Sequence, residues 1–413
     1  MTRSVKWAVF TGAALALVLP AAGPLTLDQA LALAEKNHPQ FQVASAMLEA
    51  AQAGITTARA YPNPEAGVLA GHQRARVPGT VPGPVLVYSF AQPLETRKVR
   101  ETRILAAELG RSASEFAQAE AAIMLRSVVR QAFYLTLRRK SELELAVGNQ
   151  NLVEDLRRRI QVQVSVGEAA RLELTRAEAE AAIARTSTKS AQLRLVTAFA
   201  ALRAAINIPQ DEEIDPSGQL DPPASLPPLS ALRTEVERNH PAMRLTESEI
   251  RRADMRLQNE LALRTPQPTL RSEYEHQPDV ATYRVGVSLP VPLWNKRQGP
   301  IGEAAAAVRL ATSTLNLRKL ELFAQLESSY GRYQVASQQL AIYEEGVLKQ
   351  AEAALQAAEA AYRFGERGVI EVLDAQRVLR GARLDFLNAQ HERQAALIEL
   401  QQLRAADLRD TRP

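Results

Sequence analysis

The sequence predicts a mainly α-helical protein with a small β part, built from two copies of one structural unit. Aromatic residues make up only 5% of the chain and hydrophobic residues 46%, a balance typical of long helices that pack through small side chains. After two proline pairs, at 62–64 and 266–268, the hydrophobic pattern changes from helical to strand periodicity. A turn motif also recurs, because Gly167 and Gly365 lie 198 positions apart and the residues that follow them match at the same offset. We therefore expect a β-hairpin and a long helical hairpin, each formed twice.

The first residues have the pattern of an exported protein. Arg3 and Lys6 precede an apolar run over 7–19, and Pro-Ala-Ala-Gly follows at 20–23. Residues 1–23 are therefore predicted to be a secretory signal peptide. The apolar run is too short to span a membrane comfortably, so an anchor is the weaker interpretation.

The first structural repeat is predicted over 24–206. It contains two short helices separated by Asn37-His38-Pro39, then a β-hairpin, a long helix and a returning helix. These elements are predicted at 25–35, 40–60, about 64–92, 97–164 and 172–206. The tract 97–164 contains no proline and, at 1.5 Å per residue, reaches about 100 Å if it is continuous.

The second repeat, 229–404, follows the same order. A linker over 207–228 separates the repeats, and its six prolines prevent a helix from continuing. A second Asn-His-Pro break at 239–241 again separates two short helices. The later elements are predicted as a β-hairpin at about 268–290, a long helical tract at 303–364 and a returning helix at 370–404, followed by a tail over 405–413.

Composition excludes several functions. The formal net charge is +4, and Lys and Arg alternate with Glu instead of clustering, which argues against nucleic-acid binding. The chain has no cysteine, which rules out disulfides, thiolate metal sites and a lipidated cysteine. It carries no nucleophile elbow, phosphate loop, dinucleotide fingerprint or H-E-x-x-H motif, so we expect neither an enzyme nor a bound cofactor.

The strands indicate a membrane pore. Two hairpins are too little sheet to stand alone in a bilayer, because an open sheet leaves unpaired backbone groups facing lipid. Four strands per chain therefore predict a barrel shared by several copies. Tyr61, Phe90 and Trp294 fall where strands meet helices, as aromatic residues of a membrane interface would. A soluble β-insertion in a coiled-coil protein is the alternative.

Over 25–403 the chain resembles the TolC-like outer membrane efflux proteins. The resemblance rests on the duplicated plan, on Y-P-N-P at 61–64, on V-S-L-P-V-P-L-W-N-K-R-Q-G at 287–299 and on Y-R-F-G-E-R-G-V-I-E-V-L-D-A-Q at 362–376. The P-N-P and L-P-V-P-L-W-N segments are most similar to the heavy-metal branch typified by CzcC and CusC. The resemblance implies a homotrimer with a 12-stranded β-barrel in the outer membrane lipid and a helical barrel in the periplasm. It also implies docking to a periplasmic adaptor (membrane fusion) protein and an inner-membrane pump of the RND type.

The resemblance also implies a gate at the periplasmic helix tips. In the family, a Tyr and an Arg of the second hairpin bind the neighbouring coil, including a carboxylate on the first tip, and hold the pore closed. The matching residues are Tyr362, Arg367 and Glu173, where Glu replaces the Asp of the best-known member. Glu371 and Asp374 match an acidic constriction ring; they lie three residues apart on one helical face, and a ring of carboxylates favours cations. Solvated charges on a coiled-coil surface are the alternative interpretation.

The histidines show no convincing metal-ligand spacing. They are His38, His72, His240, His276 and His391. His38 and His240 belong to the two helix breaks, and we expect metal ions to pass through without a resident site.

The sequence thus predicts a passive exit duct in the outer membrane that extends into the periplasm, with metal cations as the expected cargo. A duct for drugs or for type I secretion is an alternative. A periplasmic adaptor would carry one hairpin flanked by small β-rich domains, and a coiled-coil scaffold would need no aromatic residues at its strand ends.

Overall fold

The computed structural model describes residues 24–74, 76–79, 81–209, 211–221 and 226–406. The predicted signal peptide, 1–23, and most of the predicted tail, 407–413, lie outside the described residues. The mainly helical class with a small β part is confirmed. The elements of the first half are α1 (Leu27–Asn37), α2 (Pro39–Arg59), β1 (Glu65–Gln73), β2 (Gly83–Pro93), α3 (Arg97–Ser165) and α4 (Arg171–Ile206). Those of the second half are α5 (Leu229–Asn239), α6 (Pro241–Ala262), β3 (Thr269–His276), β4 (Ala281–Ser288), α7 (Gln298–Ile342), α8 (Leu348–Arg363) and α9 (Val369–Arg404).

The two Asn-His-Pro breaks are the same capping device used twice. His38 and His240 both have extended backbone, which ends the preceding helix before the proline that starts the next one. Each imidazole Nδ1 then accepts a hydrogen bond of 3.2 Å from the backbone N–H two residues ahead. The histidines therefore cap α2 and α6, as the sequence indicated.

The two hairpins join into one antiparallel sheet with the order β1-β2-β3-β4. The central pairing, β2 with β3, links the two repeats, from Leu86 opposite His276 to Pro93 opposite Thr269. Within the described chain, β1 and β4 pair on one side only, so the sheet has two open edges.

The long helix of the first repeat is continuous, but its counterpart in the second is not. The 69 residues of α3 span about 100 Å. In the second repeat one turn of π-helix, Tyr343–Val347, separates α7 from α8. The sequence did not predict this turn: Gly346 lies in it, but Gly148, 198 positions earlier, lies in an unbroken helix. At the turn, the Tyr343 ring packs edge-on against Phe386 of α9, with ring centroids 6.5 Å apart.

Five buried clusters pack the described helices together, and three of them concern the site. One, around Phe133, packs α1 and α3 against α4 and α9. A second, around Leu326, does the same for α5, α6, α7 and α9. The third lies at the tips of the long hairpins and is described below. No helix in the described ranges is long and apolar enough to cross a membrane.

Candidate functional site at the helix tips

The two helical hairpins turn by the same backbone motif. Gly167 and Gly365 adopt positive φ values of 83° and 76°, which favour glycine. In each turn, the glycine N–H bonds to the carbonyl three residues back, and the next N–H bonds to the carbonyl five residues back. The bonds are Gly167 N to Val164 O (3.2 Å), Glu168 N to Gln163 O (2.8 Å), Gly365 N to Tyr362 O (3.1 Å) and Glu366 N to Ala361 O (2.9 Å). This is a Schellman motif, and its two copies are offset by 198 residues.

A buried cluster fixes the two tips against each other. Ile160 of α3 and Ala177 of α4 pack with Val369 and Val372 of α9, and all four are almost fully buried. The tips of both repeats therefore form one packed unit.

Tyr362 joins the two hairpins at this unit. Its ring packs against the tip cluster, and its hydroxyl donates a 2.6 Å hydrogen bond to Oε1 of Gln163 on α3. Burial, and secondarily the nearby Glu173 carboxylate, raise the pKa of Tyr362 above its ordinary value. Tyr362 is therefore a neutral donor at physiological pH. Gln163 as its partner was not predicted.

The other two residues of the predicted gate lie close by but are not bonded to Tyr362. The Arg367 side chain is exposed and makes no ion pair within the described part of the chain. Glu173 is half-buried, and a Cβ added to Gly368 would lie 3.9 Å from its Oε1 and 3.5 Å from Oε2 of Glu371. The structure thus brings the carboxylates of Glu173 and Glu371 to the same glycine.

The predicted acidic ring occupies the first turns of α9. Glu371 and Asp374 are both exposed on this helix. Arg377 lies one turn further along, and the structure pairs it with Glu180 of α4 at 2.6 Å. The hydrogen bond to Glu180 and its charge, with a smaller contribution from Asp374, raise the pKa of Arg377.

Sequence reasoning missed Glu180, although the sequence contained a signal for it. Ala177, Ala181 and Ala184 form the buried stripe of α4, at the spacing of one helical face. Glu180 falls on that stripe and is 4% exposed. A carboxylate on a buried alanine stripe indicates a partner across the interface.

The sheet has one apolar and one charged face. Val68, Tyr88, Tyr274 and Tyr283 stand opposite one another in a row across all four strands, and each is exposed. The adjacent row on the other face pairs Glu273 with Arg284 at 2.7 Å.

The three aromatic residues predicted for a membrane interface are exposed. Phe90 belongs to the apolar face near the end of β2, and Trp294 lies between β4 and α7. Tyr61 lies between α2 and β1, where the Arg100 guanidinium stacks on its ring at 4.5 Å.

The histidines do not form a metal centre. Among the described residues, no group of three or more His, Cys, Asp or Glu could hold a metal ion. Burial, with the charge of Arg318, lowers the pKa of His240 to about 4. Burial, with the charges of Arg138 and Arg139, does the same for His391. Both imidazoles are neutral at pH 7.

Comparisons with known proteins give the family. The model of the family "Outer membrane efflux protein" matches residues 30–207 and 233–406, one match in each half. The cobalt-zinc-cadmium resistance protein CzcC of Cupriavidus metallidurans is 27% identical over 386 residues, which cover 91% of this chain and 90% of that protein.

Solved structures share the fold. The channel CusC superposes with a TM-score of 0.79 at 17% identity, over 94% of this chain and 95% of that one. The outer membrane protein VceC of Vibrio cholerae superposes with a TM-score of 0.78 at 17% identity, over 92% of this chain and 96% of that one. Since the two matches together cover well over half of its residues, the chain belongs to the outer membrane efflux protein family.

Proposed function

We propose that three copies of this chain form a passive exit duct whose outer part is a closed barrel of 12 strands. The observation that carries this proposal is the four-stranded sheet, which is apolar on one face, charged on the other and open at both edges. An open sheet cannot face lipid, because its edge groups would lack hydrogen-bond partners. Pairing β1 of one copy with β4 of the next leaves no open edge. The apolar face, with its row of Val68, Tyr88, Tyr274 and Tyr283, then faces outward.

The helix tips form the gate of this duct. Tyr362 ties α8 to α3 through Gln163, and the charge of Glu173 acts on the same hydroxyl. Arg367 projects from the tip without an ion-pair partner within the described residues, so its guanidinium is available to a neighbouring copy. Closing the trimer in this way brings three packed pairs of tips, six tips in all, around one axis.

The cargo we propose is metal cations. Glu371 and Asp374 would place six carboxylates around the axis of a trimer, and such a ring attracts cations and repels anions. The similarity to CzcC, a cobalt-zinc-cadmium resistance protein, supports this cargo. Because the sequence carries no nucleotide-binding or catalytic motif, transport energy comes from partners, for which the TolC-like resemblance supports a periplasmic adaptor and an inner-membrane RND pump.

The test is ion selectivity of the purified trimer in a planar lipid bilayer. Wild type should conduct and prefer cations, and Glu371→Gln/Asp374→Asn should lose most of that preference without losing assembly. The matched control is Glu344→Gln/Glu345→Gln, which neutralises two exposed carboxylates in the π-helical turn and should keep wild-type selectivity.

Two outcomes would count against the proposal in different ways. If the trimer conducts with unchanged selectivity after Glu371→Gln/Asp374→Asn, the proposed acidic ring is refuted and the proposed duct is not. If the folded protein never inserts into the bilayer and never conducts, the proposed duct itself is refuted.

A further inference from the structure

The charges of α9 pose a problem for a cation-selective ring. Glu371, Asp374, Arg377 and Arg380 follow one another at intervals of three residues. Each interval of three turns the helix surface by about 60°, so the row drifts around α9 as it moves away from the tip. Two carboxylates followed by two guanidinium groups sum to zero. Taken alone, this helix would not favour either sign of ion.

Glu180 of α4 supplies the missing negative charge. Its carboxylate accepts hydrogen bonds from Nη2 and Nε of Arg377, at 2.6 Å and 3.2 Å. Its other oxygen lies 3.7 Å from Nη1 of Arg380. The Glu180 side chain is only 5% exposed, whereas that of Arg377 is 54% exposed and that of Arg380 is 31% exposed. One buried carboxylate therefore faces two partly exposed guanidinium groups.

Among the described residues, Glu180 takes part in every polar side-chain contact between α4 and α9. Within the described residues, the hydrogen bonds between α4 and α9 side chains are those of Arg377 to Glu180. A buried carboxylate is costly unless a cation compensates it, so the two arginines are held toward α4. Asp374 lies one turn from Arg377. Because Glu180 already compensates the charge of Arg377, this arginine neutralises the Asp374 carboxylate less.

We propose that Glu180 is a selectivity-determining residue of the duct. By binding Arg377 and Arg380 it keeps both guanidinium groups on the α4 side, and it turns a neutral row on α9 into a net negative constriction. The inference rests on the proposed function, since it concerns the ions that the duct conducts. Glu180 itself does not need to touch them.

The test uses two variants that break the same ion pair with opposite changes in charge. Glu180→Gln removes a negative charge and releases the arginines, so it should lower the cation-to-anion permeability ratio. Arg377→Gln removes a positive charge and should raise the ratio. Coulomb's law gives a factor of about two for a unit charge about 10 Å from an ion in water, so the three copies of a trimer change the permeability of one ion about eightfold. Cations and anions respond oppositely, so the ratio should change by about 60-fold at low salt and by less where salt screens the charges. The double variant restores the wild-type net charge and should return the ratio to near the wild-type value.

A purely structural ion pair predicts a different pattern. Both single variants would then shift the ratio in the same direction, or not at all, and the double variant would behave like either one. That result would overturn the inference. Thermal unfolding and the size of the trimer are measured for every variant.

Three further outcomes keep a failure of the inference distinct from a failure of the proposed function. If Glu180→Gln does not assemble, Arg377→Gln and Arg380→Gln, which keep Glu180, must each raise the permeability ratio, and failure to do so overturns the inference. If Glu371→Gln/Asp374→Asn abolishes selectivity while the Glu180 and Arg377 variants do not change it, only the inference fails. A wild-type trimer that does not conduct overturns both.

Discussion

Tyr362→Phe tests the proposed gate at its best-defined contact. The substitution removes only the hydroxyl, which donates a 2.6 Å hydrogen bond to Gln163, and leaves the ring that packs against the tip cluster. The helices should therefore keep their packing. The substitution removes the hydrogen bond between α8 and α3, so the closed state should lose stability relative to the open state.

The size of the effect follows from the bond. A hydrogen bond between neutral groups contributes about 1 kcal/mol net, and leaving the half-buried Gln163 amide without its donor adds to the loss. Three copies that open together lose about 3 kcal/mol. Since 1.4 kcal/mol corresponds to a tenfold change in an equilibrium constant, the closed-to-open ratio should fall by roughly 100-fold.

The assay is the open probability of single channels in a planar bilayer. Gln163→Met removes the acceptor at nearly constant size and should raise the open probability as Tyr362→Phe does. The double variant should add little, because both changes break one bond. Tyr343→Phe is the matched control: this hydroxyl lies 3.5 Å from Asp385, too far for a strong bond, so the open probability should stay near wild type.

Two results would refute this reasoning. Additive effects of Tyr362→Phe and Gln163→Met would show that the two residues act independently. An unchanged open probability in all variants, with trimers intact, would show that the tie does not hold the gate.

Two further predictions concern stability. Gly365→Ala should cost about 1 kcal/mol in the free energy of unfolding, because alanine is strained at φ 76°, whereas Gly381→Ala, in the interior of α9 with open space at its Cβ, should stabilise by about 0.5 kcal/mol; chemical denaturation compares them. Buried His240 has its pKa lowered from 6.5 to about 4, so the unfolded chain takes up its proton first and about 3 kcal/mol of stability is lost as the pH falls from 6.5 toward 4. His240→Asn keeps a capping side chain and should reduce that acid loss, whereas His38→Asn, which leaves His240 in place, should not; denaturation midpoints between pH 7 and pH 4 decide between them.

Local chemistry made much of the fold predictable. Leu270, Ser272, Tyr274 and His276 alternate in the sequence with Arg271, Glu273 and Glu275. This alternation coincides with β3, because successive side chains of a strand point to opposite faces of the sheet. Each helix break is marked by a proline, Pro39 or Pro241, whose ring fixes the backbone φ angle. Each helix tip is marked by a glycine, Gly167 or Gly365, which adopts the positive φ that the turn requires. Such signals depend on a few neighbouring residues and can be read from sequence.

The polar partners were not predictable in the same way. Gln163 and Tyr362 are separated by 199 residues, and Glu180 and Arg377 by 197. No feature of the neighbouring sequence determines which charged side chains of α4 and α9 meet, since exposed Glu and Arg recur throughout both helices. Only the buried alanine stripe marked Glu180. The π-helical turn at Tyr343–Val347 was not predictable from its own residues either. At this turn Tyr343 packs against Phe386 of α9, which is distant in the sequence.

The duplication separates what the tip needs for folding from what the proposed gate needs. Both repeats keep the glycine turn, and Glu173 and Glu371 are equivalent at the offset of 198 and approach the same glycine. The other residues assigned to the proposed gate and to the proposed acidic ring occur only in the second repeat. Val164, Ala169 and Arg176 stand where the second repeat has Tyr362, Arg367 and Asp374. The backbone of the turn is therefore constrained by folding in both copies, whereas the gate side chains are free to differ. Within the described chain, the π-helical turn is likewise found only in the second helical hairpin, so the two hairpins differ in helix geometry although they end in the same turn.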